Sequence, residues 1–191
     1  SKKISSARKL SKSKIRIGIE SAFKNLALKN SKIDFNLTES DEFNKNGINN
    51  IEVLYKPSEQ SSPKLLSKIA SGGEKSRILF ALKSILSKKI DLPTLVFDEI
   101  DSGTSGEIAN AIGKMMKIMG KKIQIIAITH LPQVASLADY HYKVFKIEGE
   151  KNISTNIKKL DTSSRIKEIA SMISGENITE SAINQAQELL K

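Results

Sequence analysis

The sequence predicts an α/β protein, a mainly parallel sheet flanked by helices. Three observations carry that expectation. "TLVF" at 94–97 is a short, wholly apolar run, the pattern of a strand covered on both faces, as in a parallel sheet. "IQIIAIT" at 123–129 repeats that pattern. Around them, apolar residues recur at helical spacing: Ile78, Leu82, Ile85 and Leu86 in one segment, and Ile108, Ala109, Ile112, Met115, Met116 and Met119 in another. Strands alternating with helices pack as layers around a core.

The elements follow in order. Ile15, Ile19, Ala22, Phe23 and Leu26 fall on one helical stripe, so residues 3–29 are expected to be helical. The stripe is thin for a self-contained unit and reads as the end of something longer. Ile33, Phe35 and Leu37 then alternate with polar residues, as do Ile51, Val53 and Tyr55, which predicts a hairpin across the polar 39–47 stretch. "KPSEQSSPK" at 56–64 reads as a loop, with two prolines among small polar residues. A helix is expected from Ser71 to about Lys88, then the strand at 94–97. The second helix holds the methionine cluster, whose simplest role is core filling. "LPQVASLAD" opens a short helix, and "HYKVFKIEGEKNISTNIKKL" reads as a hairpin turning at Gly149–Asn152. Helices at about 162–173 and 179–190 close the chain. There is no internal repeat and no low-complexity tract.

Composition bounds the function. At 191 residues the chain holds one full-sized domain with an appendage. It contains no cysteine, which excludes a disulfide framework and a thiolate metal site. No apolar run is long enough to cross a bilayer and no signal-peptide pattern opens the chain, so no membrane association is expected and a cytoplasmic location fits. The net charge is +10, and residues 1–30 hold nine Lys or Arg against one acid, Glu20. A basic arm of this kind attracts a polyanion such as DNA through phosphate contacts; it also suits a plainly solvated helix face. The first residue is Ser, so the sequence reads as a fragment or a natural half-protein.

The chemistry concentrates in three places. "TLVFDEIDSGTSG" (94–106) ends an apolar strand in two adjacent carboxylates, Asp98 and Glu99. Ligands of open α/β sheets bind beyond the carboxyl ends of strands. Successive strand side chains point opposite ways, so one acid could hold a hydrated Mg²⁺ while the other polarises a water for attack on phosphorus. Alternatively, both acids cap the following loop or helix. "ASGGEKSRILFALK" (70–83) puts Gly72 and Gly73 at a helix start between Ser71 and Glu74. Ser-x-x-Glu fits a capping box. That does not account for two glycines in the first turn, where close approach of a phosphate to the backbone would. Third, His130 ends the second apolar strand, where a neutral imidazole can share one hydrogen bond with a phosphate or a water. His141 has less to recommend it.

In this order, SGGE, a strand ending in Asp-Glu and a strand-terminal His resemble the second half of an ABC-type ATPase head: signature motif, Walker B with its glutamate, D-loop and switch histidine. Within that superfamily, "LLSKIASGGEKSRILFALK", "TLVFDEIDSGTSG", "ITHLPQVASLADYHYKVFK" and the closing "RIKEIASMISGENITESAINQAQELL" resemble the RecN family of bacterial DNA double-strand-break repair proteins, relatives of the SMC proteins. The likeness runs from about Lys32 to the end and is most specific in "THLPQVA" and "DEIDSGTSG". It implies the C-terminal half of an ABC/SMC-type head over residues 31–191, preceded by the end of a coiled-coil arm over 1–30.

The resemblance also implies roles. Asp98 would hold Mg²⁺ through water, Glu99 would activate the hydrolytic water, and His130 would contact the γ-phosphate of ATP. Ser71, Gly72, Gly73 and Glu74 form the signature that meets ATP on an opposite head, and Asp101 lies in the D-loop at the same interface. The implied partners are DNA, an N-terminal half bearing the Walker A loop, and a second copy in an ATP-sandwiched homodimer, in a nucleoid-associated cytoplasmic protein. Two departures stand out. Lys75 follows SGGE where the family commonly has an aliphatic residue. No G-x-x-x-x-G-K-[ST] occurs in the sequence, so the main cradle for the β- and γ-phosphates must come from elsewhere. Alone, the chain is therefore expected to lack ATPase activity. The competing expectations are a non-catalytic, basic DNA-binding or dimerisation module, and the lobe of another SMC-family head.

Overall fold

The computed structural model describes residues 1–69, 72–87, 89–98, 100, 104, 106–148 and 153–191. They form two compact units, Ser1–Pro93 with Ile100–Thr104, and Thr94–Glu99 with Ser105–Lys191. Among the described residues, no helix is long and apolar enough to cross a membrane.

The first unit contains α1 (Lys2–Phe23), β1 (Lys32–Asn44), β2 (Gly47–Lys56), β3 (Lys64–Leu65), α2 (Leu66–Ile69) and α3 (Gly72–Leu86), with the three strands in one antiparallel sheet. Its core gathers Ile19, Phe23, Leu26, Leu28, Ile33, Tyr55, Ile78 and Phe80. The expected helical stripe thus packs in its C-terminal part. However, α1 stops at Phe23, six residues short of the expected end. Leu28 N–H bonds to the Phe23 carbonyl at 3.2 Å, and Ala27 turns the chain at φ 54°. Burying Leu26 and Leu28 beneath the helix end requires that turn, and neither Gly nor Pro announces it.

The hairpin also differs from its expected outline. Its strands extend through the polar 39–44 stretch, and the chain reverses at residues 45–46, with Asn44 opposite Gly47. Asn44 Oδ1 accepts from Asn46 N–H at 2.8 Å, and Gly47 takes φ 94°. Side chain-to-backbone bonding of this kind lets polar residues close a tight turn. The extension is exposed, so it needs no apolar alternation. Alongside, α1 is fastened to the hairpin: Ser5 Oγ donates to Asn49 Oδ1 at 2.8 Å, and Arg8 donates to Asn49 Oδ1 and to the Asn46 carbonyl. Lys9 pairs with Glu39 and Lys12 with Asp34. Between helix and hairpin runs an apolar groove of about 410 Å³ edged by Ile4, Ala7, Ser11, Ile15, Phe35, Leu37 and Ile51.

The second unit contains β4 (Thr94–Asp98), α4 (Gly106–Gly120), β5 (Gln124–Ile128), α5 (Pro132–Ala135), β6 (Tyr142–Glu148), β7 (Ile153–Lys159), α6 (Thr162–Ser174) and α7 (Glu180–Leu189). β4 and β5 pair in parallel, Asp98 opposite Ile128, while β6 and β7 pair antiparallel. Phe97 is buried on one face of the parallel pair. On the other, Val96, Ile126 and Ile128 are 50%, 44% and 54% exposed. The apolar runs were expected to be covered on both faces, and here one face stands open. α4 buries Ala109, Ile112, Met116 and Met119, so two of the three clustered methionines are core, with Met115 partly buried. Its crossing with α5 is close at Gly113, where a Cβ would lie 2.8 Å from Leu137 Cδ1. α6 starts at Asp161, whose carboxylate accepts from Ser164 N–H at 2.7 Å, and α7 at Thr179, whose hydroxyl accepts from Ala182 N–H at 3.2 Å. The two helices bury Ile169, Ala170, Ala182 and Ala186 between them. The expected turn at Gly149–Asn152, and Lys88, lie outside the described residues.

Candidate functional site

In the first unit, Gly72, Gly73 and Glu74 make the opening turn of α3, at the helix end where backbone N–H groups lack intrahelical partners. Ser71 lies outside the described residues, and with it half of the proposed capping box. A Cβ at Gly72 would meet no described atom within 4 Å, and Gly72 is not among the positive-φ residues. Among the described residues, neither packing nor a positive φ requires glycine there. Glu74 Oε1 accepts from the Tyr55 hydroxyl at 3.1 Å, and Tyr55 is fully buried on β2. Lys75, the departure from the family pattern, reaches back to the Ser67 carbonyl at 3.3 Å and so ties α2 to α3.

In the second unit, the parallel pairing puts two further residues at one edge. β4 and β5 run the same way in register, so Asp98 ends its strand beside Ile128, and His130 follows two residues later. Asp98 and His130 are both exposed at that carboxyl edge. Thr129 Oγ1 accepts from Leu131 N–H at 3.0 Å and turns the chain directly behind His130. α5 then begins with Pro132 in its first turn and buries Pro132, Val134 and Ala135. Much of the "THLPQVA" stretch is thus packing that holds His130 at the sheet edge. Glu99 and Asp101 lie outside the described residues.

Among the described residues, no three His, Asp or Glu side chains gather into a metal cage. A hydrated Mg²⁺ needs only one or two carboxylates together with phosphate oxygens. An exposed Asp98 at a strand end fits that requirement.

Three residues at or behind these sites escaped sequence reading as anything but packing or background. Tyr55 shows as an apolar strand position, and only its hydroxyl, aimed at Glu74, makes it more. Arg165 on α6 donates to the Ser136 carbonyl at 2.9 Å and to those of Ala135 and Ala138, closing the end of α5. No local pattern marks such a long-range cap. His141 is half-buried with its Nδ1 unbonded; burial, then the Arg165 charge, pushes its pKa below the ordinary 6.5.

No protein-family model matches the chain. Curated relatives do. It is 41% identical over 167 residues to a DNA repair protein RecN of Rickettsia bellii, covering 87% of this chain and 30% of the relative. It is 33% identical over 188 residues to a DNA repair protein RecN of Haemophilus influenzae, covering 98% of this chain and 34% of the relative. The chain thus spans about a third of the length of these relatives. Among solved structures, it resembles the Smc head domain with a coiled coil and joint from Pyrococcus yayanosii, with a TM-score of 0.65 at 20% identity over 81% of this chain and 28% of that one. It also resembles an Smc head domain from Pyrococcus furiosus, with a TM-score of 0.62 at 21% identity over 83% and 37% of the two chains. Identities at that level speak for the fold alone. The chain belongs to the RecN family, as a segment with the α/β fold of an SMC-type ATPase head.

Proposed function

We propose that this chain is the C-terminal ATPase lobe of a RecN-like DNA double-strand-break repair protein. Its signature turn, Walker B strand and switch histidine serve ATP when two heads engage. The observation that carries the reading is Gly72. A glycine that neither packing nor a positive φ demands among the described residues, at a helix N-terminus, suits the approach of an outside phosphate. The shared carboxyl edge of β4 and β5, with Asp98 and His130 exposed on it, supports the same reading.

Each residue has a task in this scheme. Ser71, Gly72 and Gly73 grip the γ-phosphate of ATP bound on the opposite head, with Glu74 anchoring their turn. Asp98 would hold Mg²⁺, which would supply neutralisation of the phosphate charge. Glu99 orients and deprotonates the attacking water, His130 donates to the γ-phosphate, and Asp101 lines the interface between heads. The Walker A loop comes from the N-terminal half, and the working unit is a homodimer with ATP sandwiched between heads. The open apolar face of Val96, Ile126 and Ile128 suits cover by that N-terminal half. Residues 1–30 form the end of the arm, and the groove beside α1, with Ile4, Ala7, Ser11 and Ile15 on one helical face, suits a partner helix. DNA held by the basic surface, in a nucleoid-associated cytoplasmic protein, completes the scheme.

Glu99→Gln tests the hydrolytic assignment. In a mixture with a Walker A-bearing N-terminal half, the variant should lose ATP turnover by about two orders of magnitude or more, the scale of a general-base loss. Its nucleotide-dependent dimer should persist in sedimentation. Full turnover by the variant would sink the role given to Glu99.

A further inference from the structure

A chain of two hydroxyls and a carboxylate runs through the first unit. Ser31 Oγ lies 2.9 Å from Tyr55 Oη, which lies 3.1 Å from Glu74 Oε1. Proton counting sets its direction. A carboxylate only accepts, so the Tyr55 hydroxyl donates to Glu74. The Tyr55 oxygen is then left to accept, and the Ser31 hydroxyl donates to it, sharing its proton with the Pro57 carbonyl at 3.1 Å. Ser31 is itself buried, and its N–H bonds to the Leu28 carbonyl at 3.0 Å, in the turn that ends α1. The Tyr55 ring is fully enclosed opposite Ile33, so the hydroxyl cannot swing to other partners. Burial first, and then the neighbouring Glu74 charge and hydrogen bond, raise the phenol above its ordinary pKa of 10.0, while Ser31 and Arg77 oppose them.

We propose that Tyr55 is a positioning residue for the nucleotide site: its buried hydroxyl fixes the Glu74 carboxylate, and with it the turn carrying Gly72 and Gly73, to the hairpin and the end of α1. This rests on the signature reading above. A turn that grips a phosphate with backbone N–H groups must be held to within a fraction of an ångström, because a displacement of about 1 Å can cost about a hundredfold in rate. An isolated helix start with two glycines has no such stiffness of its own. The tyrosine adds to it from the sheet, through its hydroxyl.

The test is Tyr55→Phe, which keeps the ring and removes the hydroxyl. In the mixture with the Walker A-bearing half, kcat should fall about tenfold, the loss of one hydrogen bond to a charged group. The KM for ATP should stay within about twofold, since the signature meets nucleotide only on head engagement. In a Glu74→Ala background the same change should cost nothing more, because Tyr55 acts through Glu74. An unchanged kcat in Tyr55→Phe, or a tenfold loss that persists in the Glu74→Ala background, would overturn the proposal. Should Tyr55→Phe not fold, Ser31→Ala reads the same chain one step back, with a smaller loss in the same direction; no loss would count against it. Tyrosinate absorbance of the isolated chain reads the contact without ATP: Glu74→Gln should lower the Tyr55 midpoint, identified by its loss in Tyr55→Phe, and an unmoved midpoint would refute the contact itself. A wild-type mixture without activity would overturn the nucleotide-site reading and the positioning role together, while the titration would still decide the contact.

Discussion

In the proposed scheme, Gly72 separates folding from function at a single atom. Adding a methyl group there meets open space among the described residues, and alanine is the better helix former. Gly72→Ala should therefore fold with an unfolding midpoint equal to or above the wild type, yet lower ATP turnover in the mixture at least about tenfold, as loss of one transition-state contact does. Equal turnover would remove the reason for the glycine. His141 offers a second residue-scale test, through pH. Burial and the Arg165 charge keep it neutral, with its folded pKa below the unfolded value of 6.5. The unfolded chain then binds more protons as pH falls, so this group's contribution is intact above about pH 6.5 and is lost below it. With only two histidines, ring-proton NMR reads the midpoint directly. A midpoint at or above 6.5 would contradict the buried, cation-flanked setting. Residue roles were unevenly legible in the sequence. Asp98 and His130 stood out because each ends an apolar run. Tyr55 did not, since its role depends on a carboxylate 19 residues away that only the folded hairpin brings near.

Elements were easier to read than their ends. The helices α3, α4, α6 and α7 and the strands β4 and β5 lie close to where apolar spacing placed them, because each buries one stripe or run. The misses have local physical causes. α1 ends where Ala27 takes a left-handed turn that no residue type advertises. β1 continues through polar residues, with its register irregular between Glu39 and Asn44, because an exposed hairpin extension needs no apolar burial. The α4–α5 crossing was also hidden, since Gly113 sits mid-helix and reads only as a weak helix former. Its reason is the close approach of Leu137 and the Gln133 carbonyl. Gly113→Ala should therefore destabilise the chain by about 1–3 kcal/mol, the cost of overpacking, despite alanine's better propensity. Chemical unfolding would show it as a lower midpoint at constant slope. A gain in stability would mean that the two helices separate without cost.

For the whole molecule, the proposed site residues divide between the two compact units. Gly72 and Glu74 belong to one compact unit, Asp98 and His130 to the other, and the sequence contains no Walker A loop. The composition foretold a basic protein, and the structure shows how some of that charge is placed. Lys9 and Lys12 face Glu39 and Asp34 across the α1–hairpin contact. Pairs like these contribute about 0–1 kcal/mol each and are screened by salt, and residues 1–30 keep nine Lys or Arg against one acid. What could not be read from sequence was the open face of the parallel pair, because an apolar strand looks the same whether its cover lies in the same chain or another.

The most direct measurement is steady-state ATP hydrolysis by this chain alone and mixed with a Walker A-bearing N-terminal half, each with and without DNA. No turnover is expected from the chain alone, with turnover in the mixture and a response of that turnover to DNA. No turnover in the mixture, with DNA still bound by the chain, would contradict it and leave a non-catalytic DNA-binding module.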